Sequence, residues 1–301
     1  MGTHTIPAIR RWPLLGLFAV AALTCAASGR AAAQVPRVGP EKGALVVVGG
    51  AMESEEIYRA FIDLAGGPDA HIVLVPTAAG DDEYDDSYAG MEAWRTHGAR
   101  NLTVLHTLDP SIADTEDFVE PLTTAGGVFF FGGRQFRLVD AYAGTRTEEE
   151  LRNVLARGGV IGGTSAGASV LGSFLVRGDT ETNEIIMGDH ETGFGYLRGV
   201  AIDQHVLRRN RHFDMLELLD ARPDLLGIGL DEDTAIIVRG DRFEVIGSSY
   251  ALIYDRRTTT GREGTFYFLA PGDGYDMGTR RATRPSRTSG PVPNIERRPW
   301  R

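Results

Sequence analysis

Ser165 lies in Gly162-Gly163-Thr164-Ser165-Ala166-Gly167-Ala168, directly after the apolar run Gly159-Val160-Ile161. A short apolar strand thus leads into small residues around one serine, and an alanine-rich, helix-permissive stretch follows at 166–174. This is the sequence form of a nucleophile elbow, a sharp strand-to-helix turn that lifts a hydroxyl out of a sheet and tolerates no bulky neighbours. The helix N-terminus behind the serine offers N–H groups and a favourable dipole to a developing oxyanion. A glycine-rich turn with an incidental serine, or a phosphate-binding loop, has the same outline. The rest of the chain must therefore supply the other parts of a catalytic set.

A serine hydroxyl needs a base to take its proton and a third group to orient that base. Of the seven histidines, His4 precedes the folded body, His71 and His106 fall in strand-like runs, and His97 sits at a helix end. His190 is in a loop and His212 follows an arginine cluster. His205 closes Val200-Ala201-Ile202-Asp203-Gln204-His205, a strand that carries it to a strand end. Candidate acids are Asp179, Glu181 and Glu184, in the loop between serine and histidine, and Asp231-Glu232-Asp233, after a buried strand. The second group suits equally the charged end of a substrate, and spacing does not choose among them. Arg208, Arg209 and Arg211 repel one another and so must face anions. They form either a solvated helix face paired with Asp214 and Glu217 or a guanidinium fork for a substrate carboxylate. For an oxyanion hole the Ala166 N–H is the first donor, and Gly132-Gly133 brings a second close because no side chain blocks the approach. Arg134 and Gln135 project near the same mouth.

The elements that position these residues are continuous Val/Ile/Leu/Phe runs at 44–48, 71–75, 102–105 and 127–131, alternating with amphipathic stretches at 54–64, 84–97 and 147–157. Continuous rather than alternating apolar runs describe strands buried on both faces by crossover helices. The expected fold is α/β: a three-layer, doubly wound, mostly parallel sheet whose strand ends carry Gly49-Gly50, Pro76-Thr77, Gly132-Gly133 and Ser165. Short strands at 226–230, 234–238, 243–247 and 251–254, with a hairpin turn at 239–242, are expected to extend one edge antiparallel.

The chain ends differ from the body. Arg10 and Arg11, an apolar run at 12–27 and Ala31-Ala32-Ala33 describe a secretory signal peptide over 1–33, too short and interrupted at Pro13 for a stable membrane span. Residues 34–43 read as a linker, 44–270 as a single α/β domain, and 271–301 as a disordered basic tail. Cys25, the only cysteine, lies in the leader, so the mature chain has neither disulfide nor thiolate chemistry. The formal net charge is −10, the leader carries +3 and residues 277–301 carry +6, which leaves −19 on the body. Such a body repels nucleic acid and attracts a cationic substrate.

With Gly162-Gly163-Thr164-Ser165-Ala166-Gly167-Ala168, Phe130-Phe131-Gly132-Gly133-Arg134-Gln135 and Ile202-Asp203-Gln204-His205 assembled, the chain resembles the cyanophycinases over residues 44–254. These belong to a serine peptidase family that also holds the aspartyl dipeptidases. The resemblance implies a flavodoxin-like fold of the class I glutamine amidotransferase kind, a homodimer, and a Ser-His-acid triad that uses no metal and no cofactor. It implies Ser165 as nucleophile, His205 as base, Gly133 and Ala166 as oxyanion hole, and Gln135, Arg209 and Arg211 as the aspartyl-binding set. The acid falls on Glu181, with Asp179 close behind. Relatives with a leader act outside the cytoplasm, so a secreted (periplasmic or extracellular) enzyme that cuts cyanophycin into β-Asp-Arg dipeptides is expected. The residue after His205 is Val206 where an aromatic is usual, and Gly188-Asp189-His190 replaces a more apolar, proline-containing segment. A dipeptidase for Asp-initiated or isoaspartyl peptides, and a non-catalytic binder of anionic ligands, are the competing readings. A glutamine amidotransferase is excluded because it needs cysteine at the elbow.

Overall fold

The computed structural model describes residues 1–2, 37–85, 87–185, 188–257 and 266–283. The first half alternates strand and helix: β1 (Ala44–Val48), α1 (Glu55–Ala65), β2 (His71–Val75), α2 (Gly90–Thr96), β3 (Asn101–Val104), α3 (Pro110–Ala113), α4 (Glu116–Thr124), β4 (Gly127–Phe130), α5 (Gln135–Tyr142), α6 (Arg146–Ala156), β5 (Val160–Thr164) and α7 (Ala166–Ser169). The second half is mostly strand: β6 (Gly172–Phe174), β7 (Leu197–Gln204), α8 (Asp214–Ala221), β8 (Leu226–Leu230), β9 (Thr234–Arg239), β10 (Arg242–Gly247), β11 (Ala251–Tyr254), β12 (Tyr267–Leu269), β13 (Gly274–Asp276) and β14 (Arg281–Thr283).

Strand periodicity builds the layers. Within β1, Val46 and Val48 point to one face of the sheet and join Ile72, Leu74, Phe129 and Val160 under α1 and α2. Leu45 and Val47 point to the other face, with Val73, Val75, Val128 and Ile161, under α4 to α7. Both faces are closed, which is why the parallel strands read as unbroken apolar runs. Each fully buried side chain of this kind stabilises the fold by roughly 1.5–3 kcal/mol. Helix α1 shows the matching pattern, burying Ile57, Tyr58, Phe61, Ile62 and Ala65 along one stripe. Glu55 and Glu56 lie in its first turn, and Gly66, at φ 115°, closes its C-terminus in the left-handed region.

The described strands form two sheets rather than the single one expected. A nine-stranded sheet has the order β14-β13-β10-β9-β1-β5-β4-β2-β3, parallel from β1 to β3 and antiparallel from β9 outward. A five-stranded sheet has the order β12-β11-β8-β7-β6, with β6, β7 and β8 parallel. Strands β9 and β10 extend the first sheet edge as expected, whereas β8 and β11 belong to the second sheet. The chain therefore changes sheets at the link 231–233 between β8 and β9. The C-terminal ends of β5 and β7 meet across that junction, where Ser165 N–H donates to Val48 O and His205 N–H to Gly49 O.

Both expected domain boundaries move outward. Asp241 accepts hydrogen bonds from the N–H groups of Arg37, Val38 and Gly39, which fastens what reads as a linker to the β9–β10 turn. The basic tail begins later than residue 271, because β13 pairs with β10, β14 pairs with β13, and Tyr275 packs in the core. A low apolar content hides these strands in sequence; Tyr275 against Phe243 is enough to anchor them. The signal-peptide reading, from residue 3 on, and the tail from 284 on lie outside the described residues. Among the described residues no helix is long and apolar enough to cross a membrane.

Candidate active site

The serine is presented by a backbone that only small residues permit. A Cβ on Gly163 would come within 2.1 Å of Gly167 O, and one on Gly167 within 2.3 Å of Phe130 O. Between them Ser165 adopts φ 56° and ψ −117°, a conformation that costs a non-glycine residue of order 1–3 kcal/mol. It is held there by its N–H on Val48 O at 3.0 Å and by its own carbonyl, which accepts from Ala168 and Ser169. The helix behind it is shorter than the alanine-rich sequence suggests. It stops at Ser169 because the Val170 and Leu171 carbonyls accept from Phe194 and Leu197 instead, and β6 begins at Gly172.

His205 also has positive φ, at 55°, and turns back off the end of β7. Its ring lies against Gly50, where a Cβ would sit 2.1 Å from Cε1. Nε2 is 2.9 Å from Ser165 Oγ, and Nδ1 is 2.7 Å from Glu232 Oε1. One face of the imidazole edge thus meets a hydroxyl and the other a carboxylate. Burial is the largest influence on His205 and lowers its pKa from the ordinary 6.5. The hydrogen bond with Glu232 opposes that lowering, and the charges of Arg209 and Arg211 add to it. The ring is therefore neutral near pH 7, which is the state a general base requires.

The carboxylate on His205 is Glu232, which corrects the expectation of Glu181. The loop that holds Glu181 is bonded to itself: Asp179 Oδ1 accepts the N–H groups of Glu181 and Thr182, and Asp189 accepts from Thr180. Arg134 fixes the same loop through the carbonyls of Asp179 and Thr182. Glu184 is exposed there as well, and neither it nor Asp179 bonds His205. Glu232 reaches the histidine because β8 lies beside β7, with Leu230 paired to Gln204. Its neighbours have other tasks. Asp231 accepts the N–H groups of Leu207 and Arg208 and the Ser249 hydroxyl, and Asp233 accepts those of Glu53 and Ser54 ahead of α1.

Beside the hydroxyl, Gly132 brings backbone so close that a Cβ there would stand 3.1 Å from Ser165 Cβ. Gly133 has φ 146°, and its Cβ would meet Ala78 O at 2.0 Å. Among the described residues neither the Gly133 N–H nor the Ala166 N–H finds a hydrogen-bond acceptor. The two donors expected to face an oxyanion are thus both free to do so.

The residues expected to hold substrate divide. Gln135 is buried at the start of α5 and its Nε2 donates to Val176 O at 2.7 Å. Arg209 is exposed, and its guanidinium makes no hydrogen bond or ion pair among the described residues. Arg211 Nη1 donates to Gln204 Oε1 at 3.2 Å and meets no carboxylate among the described residues. Arg208 Nε stands 3.7 Å from Glu232 Oε2 and is largely in solvent. The other described histidines have partners of their own: His71 bonds Thr103 and Thr124, His106 bonds Thr77, His97 stacks on Tyr58, His190 bonds Asp140 and Asp189, and His212 packs against Phe213 and Phe266. Among the described residues no group of three or more His, Cys, Asp or Glu side chains is placed to hold a metal ion.

Comparison with known proteins bears on this geometry. The sequence profile of Peptidase family S51 matches residues 45–246. The chain is 34% identical to a cyanophycinase of Geminocystis herdmanii over 226 residues, which cover 71% of this chain and 81% of that protein. It is 33% identical over 228 residues to a cyanophycinase of Synechococcus elongatus, covering 72% of this chain and 69% of that one. Among solved structures, a peptidase from an acI-B1 Actinobacterium superposes with a TM-score of 0.58 at 24% identity, over 78% of this chain and 97% of that one, which shows a shared fold.

Proposed function

The chain belongs to peptidase family S51, and from that membership we propose that this serine peptidase is exported and hydrolyses cyanophycin to β-Asp-Arg dipeptides through an acyl-enzyme. The observation that carries the proposal is the unbroken chain Ser165 Oγ, His205 and Glu232, with contacts of 2.9 and 2.7 Å, at a strained elbow.

Ser165 Oγ attacks the scissile carbonyl while His205 Nε2 takes its proton. Glu232 holds Nδ1–H, fixes the tautomer that leaves Nε2 free to accept, and offsets the imidazolium charge as it forms. The carbonyl oxygen becomes an anion between the N–H groups of Gly133 and Ala166. Collapse of this intermediate breaks the C–N bond, and the proton held on His205 passes to the departing amine. Water, activated by the same histidine, then attacks the acyl-serine and releases the acid. Arg209 and Arg211 take the aspartyl carboxylates of the substrate, and the acidic body suits its arginine side chains. The leader-like segment at 1–33 supports export, and the resemblance to cyanophycinases supports a homodimer.

The test is to incubate the protein, with Ser165→Ala as control, with cyanophycin and separately with Asp-Leu, and to identify products by mass. Release of β-Asp-Arg by the wild type alone is the expected result. Cleavage of Asp-Leu without attack on the polymer would make the protein an aspartyl dipeptidase, and absence of any cleavage by folded protein would make it a binder. Cell fractionation with and without residues 1–33 tests export.

A further inference from the structure

An arginine turn that carries its own acids ought to neutralise itself. Arg208, Arg209 and Arg211 are followed by Asp214, which lies three residues beyond Arg211 at the first turn of α8. Yet among the described residues the guanidinium of neither Arg209 nor Arg211 bonds its carboxylate. Asp214 Oδ2 instead accepts from Arg177 Nη2 at 2.7 Å.

Arg177 reaches this position from the segment after β6, with φ 56° and only 3% of its surface exposed. Its Nε and Nη2 donate to the two oxygens of Asp203 at 2.8 Å each, and Nη1 donates to Asn183 O at 2.6 Å. Asp203 is fully buried on β7, two residues before His205. The bonds close a circuit. Asp203 Oδ1 accepts the Gln204 N–H, Gln204 Oε1 accepts from Arg211, the Arg211 carbonyl accepts the Asp214 N–H, and Asp214 returns to Arg177. Among the charges that act on Arg211, after burial, are Arg177 and Asp214 with opposite signs, so the acid is within electrostatic range although its carboxylate does not bond the Arg211 guanidinium.

We propose that Arg177 is a positioning residue that withholds Asp214 from the arginine turn, keeping Arg209 and Arg211 open for substrate carboxylates. The proposal rests on the reading of those two arginines as the substrate-binding pair. Without the fork of Arg177, Asp214 swings to Arg211 and competes with substrate from within the protein. A purely structural role, in which Arg177 only compensates the buried Asp203, has a different signature. It damages folding or the placement of His205, and no change at Asp214 repairs it.

The decisive pair is Arg177→Lys and Arg177→Lys/Asp214→Asn. The shorter ammonium keeps a charge on Asp203 but lacks the second arm that holds Asp214. Steady-state kinetics on soluble cyanophycin, or on Asp-Leu if the wild type cuts only that, should show KM raised about tenfold in the single variant with kcat within about twofold. The double variant should return KM to within about twofold of wild type. An unchanged KM in Arg177→Lys, a fall in kcat instead, or a failure of Asp214→Asn to restore KM would overturn the inference while leaving the proposed reaction intact. Lack of turnover by the wild type would sink the proposed reaction and this inference together. If Arg177→Lys does not fold, as judged by circular dichroism, Asp214→Asn alone decides: KM within twofold supports a sequestered acid, and a tenfold rise shows that Asp214 aids binding and overturns the idea.

Discussion

Two acidic segments of this molecule carry the same side-chain chemistry and have opposite fates. Residues 179–184 place Asp179, Glu181 and Glu184 in a loop exposed to solvent, and residues 231–233 place Asp231, Glu232 and Asp233 where the chain crosses from one sheet to the other. In the loop, the Asp179 carboxylate satisfies the nearby backbone N–H groups of Glu181 and Thr182 and ends there. At the crossing each carboxylate is aimed at a different element: Asp231 at the turn after His205, Glu232 at the imidazole, Asp233 at the segment before α1. An exposed loop lets an acid choose its nearest partner, whereas a link fixed at both ends by strands dictates the partner. That difference decides which acid can do chemistry.

The sharpest way to break the comparison is Glu232→Gln. The geometry of the histidine should survive while the orienting charge is lost, so kcat should fall by about 10³–10⁴, in line with removal of the acid from other serine triads. A loss below tenfold would mean that the crossing does not supply the functional acid. Next in size is Asp233→Ala, which strips the acceptors from Glu53 N–H, Ser54 N–H and the hydroxyls of Ser54 and Ser248. The expected result is a loss of about 2 kcal/mol in chemical denaturation with kcat nearly intact, because this carboxylate serves the fold rather than the base. Together these variants separate two adjacent acids by readout.

The field around His205 gives a third and smaller effect. Since burial and the two arginines lower its pKa below 6.5, and the neutral ring is the active form, kcat/KM should fall as pH drops through that lowered value. Arg209→Met removes one lowering charge, so the acid limb should move to higher pH by about half a unit. A shift in the other direction, or none, in a pH–rate profile would deny the arginine any influence on the base.

Much of this site can be read in the sequence, for a reason tied to local backbone. The elbow needs small residues at fixed offsets from Ser165, and Gly163 and Gly167 leave that trace directly. His205 is recognisable because an apolar strand runs straight into it. The parallel strands declare themselves as unbroken apolar runs because both faces are covered. Glu232 is harder. Its role depends on β8 pairing with β7 in the second sheet, a long-range choice that no local pattern records. The same holds for Arg177, whose partners Asp203 and Asp214 lie 26 and 37 residues away. The one available hint for the acid is that a charged triplet directly follows a buried strand next in order after the histidine strand.

The smallest expected effect is also the strictest test of the comparison. Glu181→Gln keeps the shape of the loop and removes only a charge. Its N–H, not its carboxylate, is what binds Asp179, so the loop should hold its form. Turnover should stay within about twofold and stability within about 0.5 kcal/mol, as for surface substitutions away from structured contacts. A hundredfold loss of kcat would mean that the loop folds onto the site when substrate binds, and that the acid which orients His205 in the free protein is not the one that acts during turnover. The paired measurement of Glu181→Gln and Glu232→Gln, on one substrate at one pH, therefore asks whether the sheet crossing or the exposed loop owns the charge that drives the histidine.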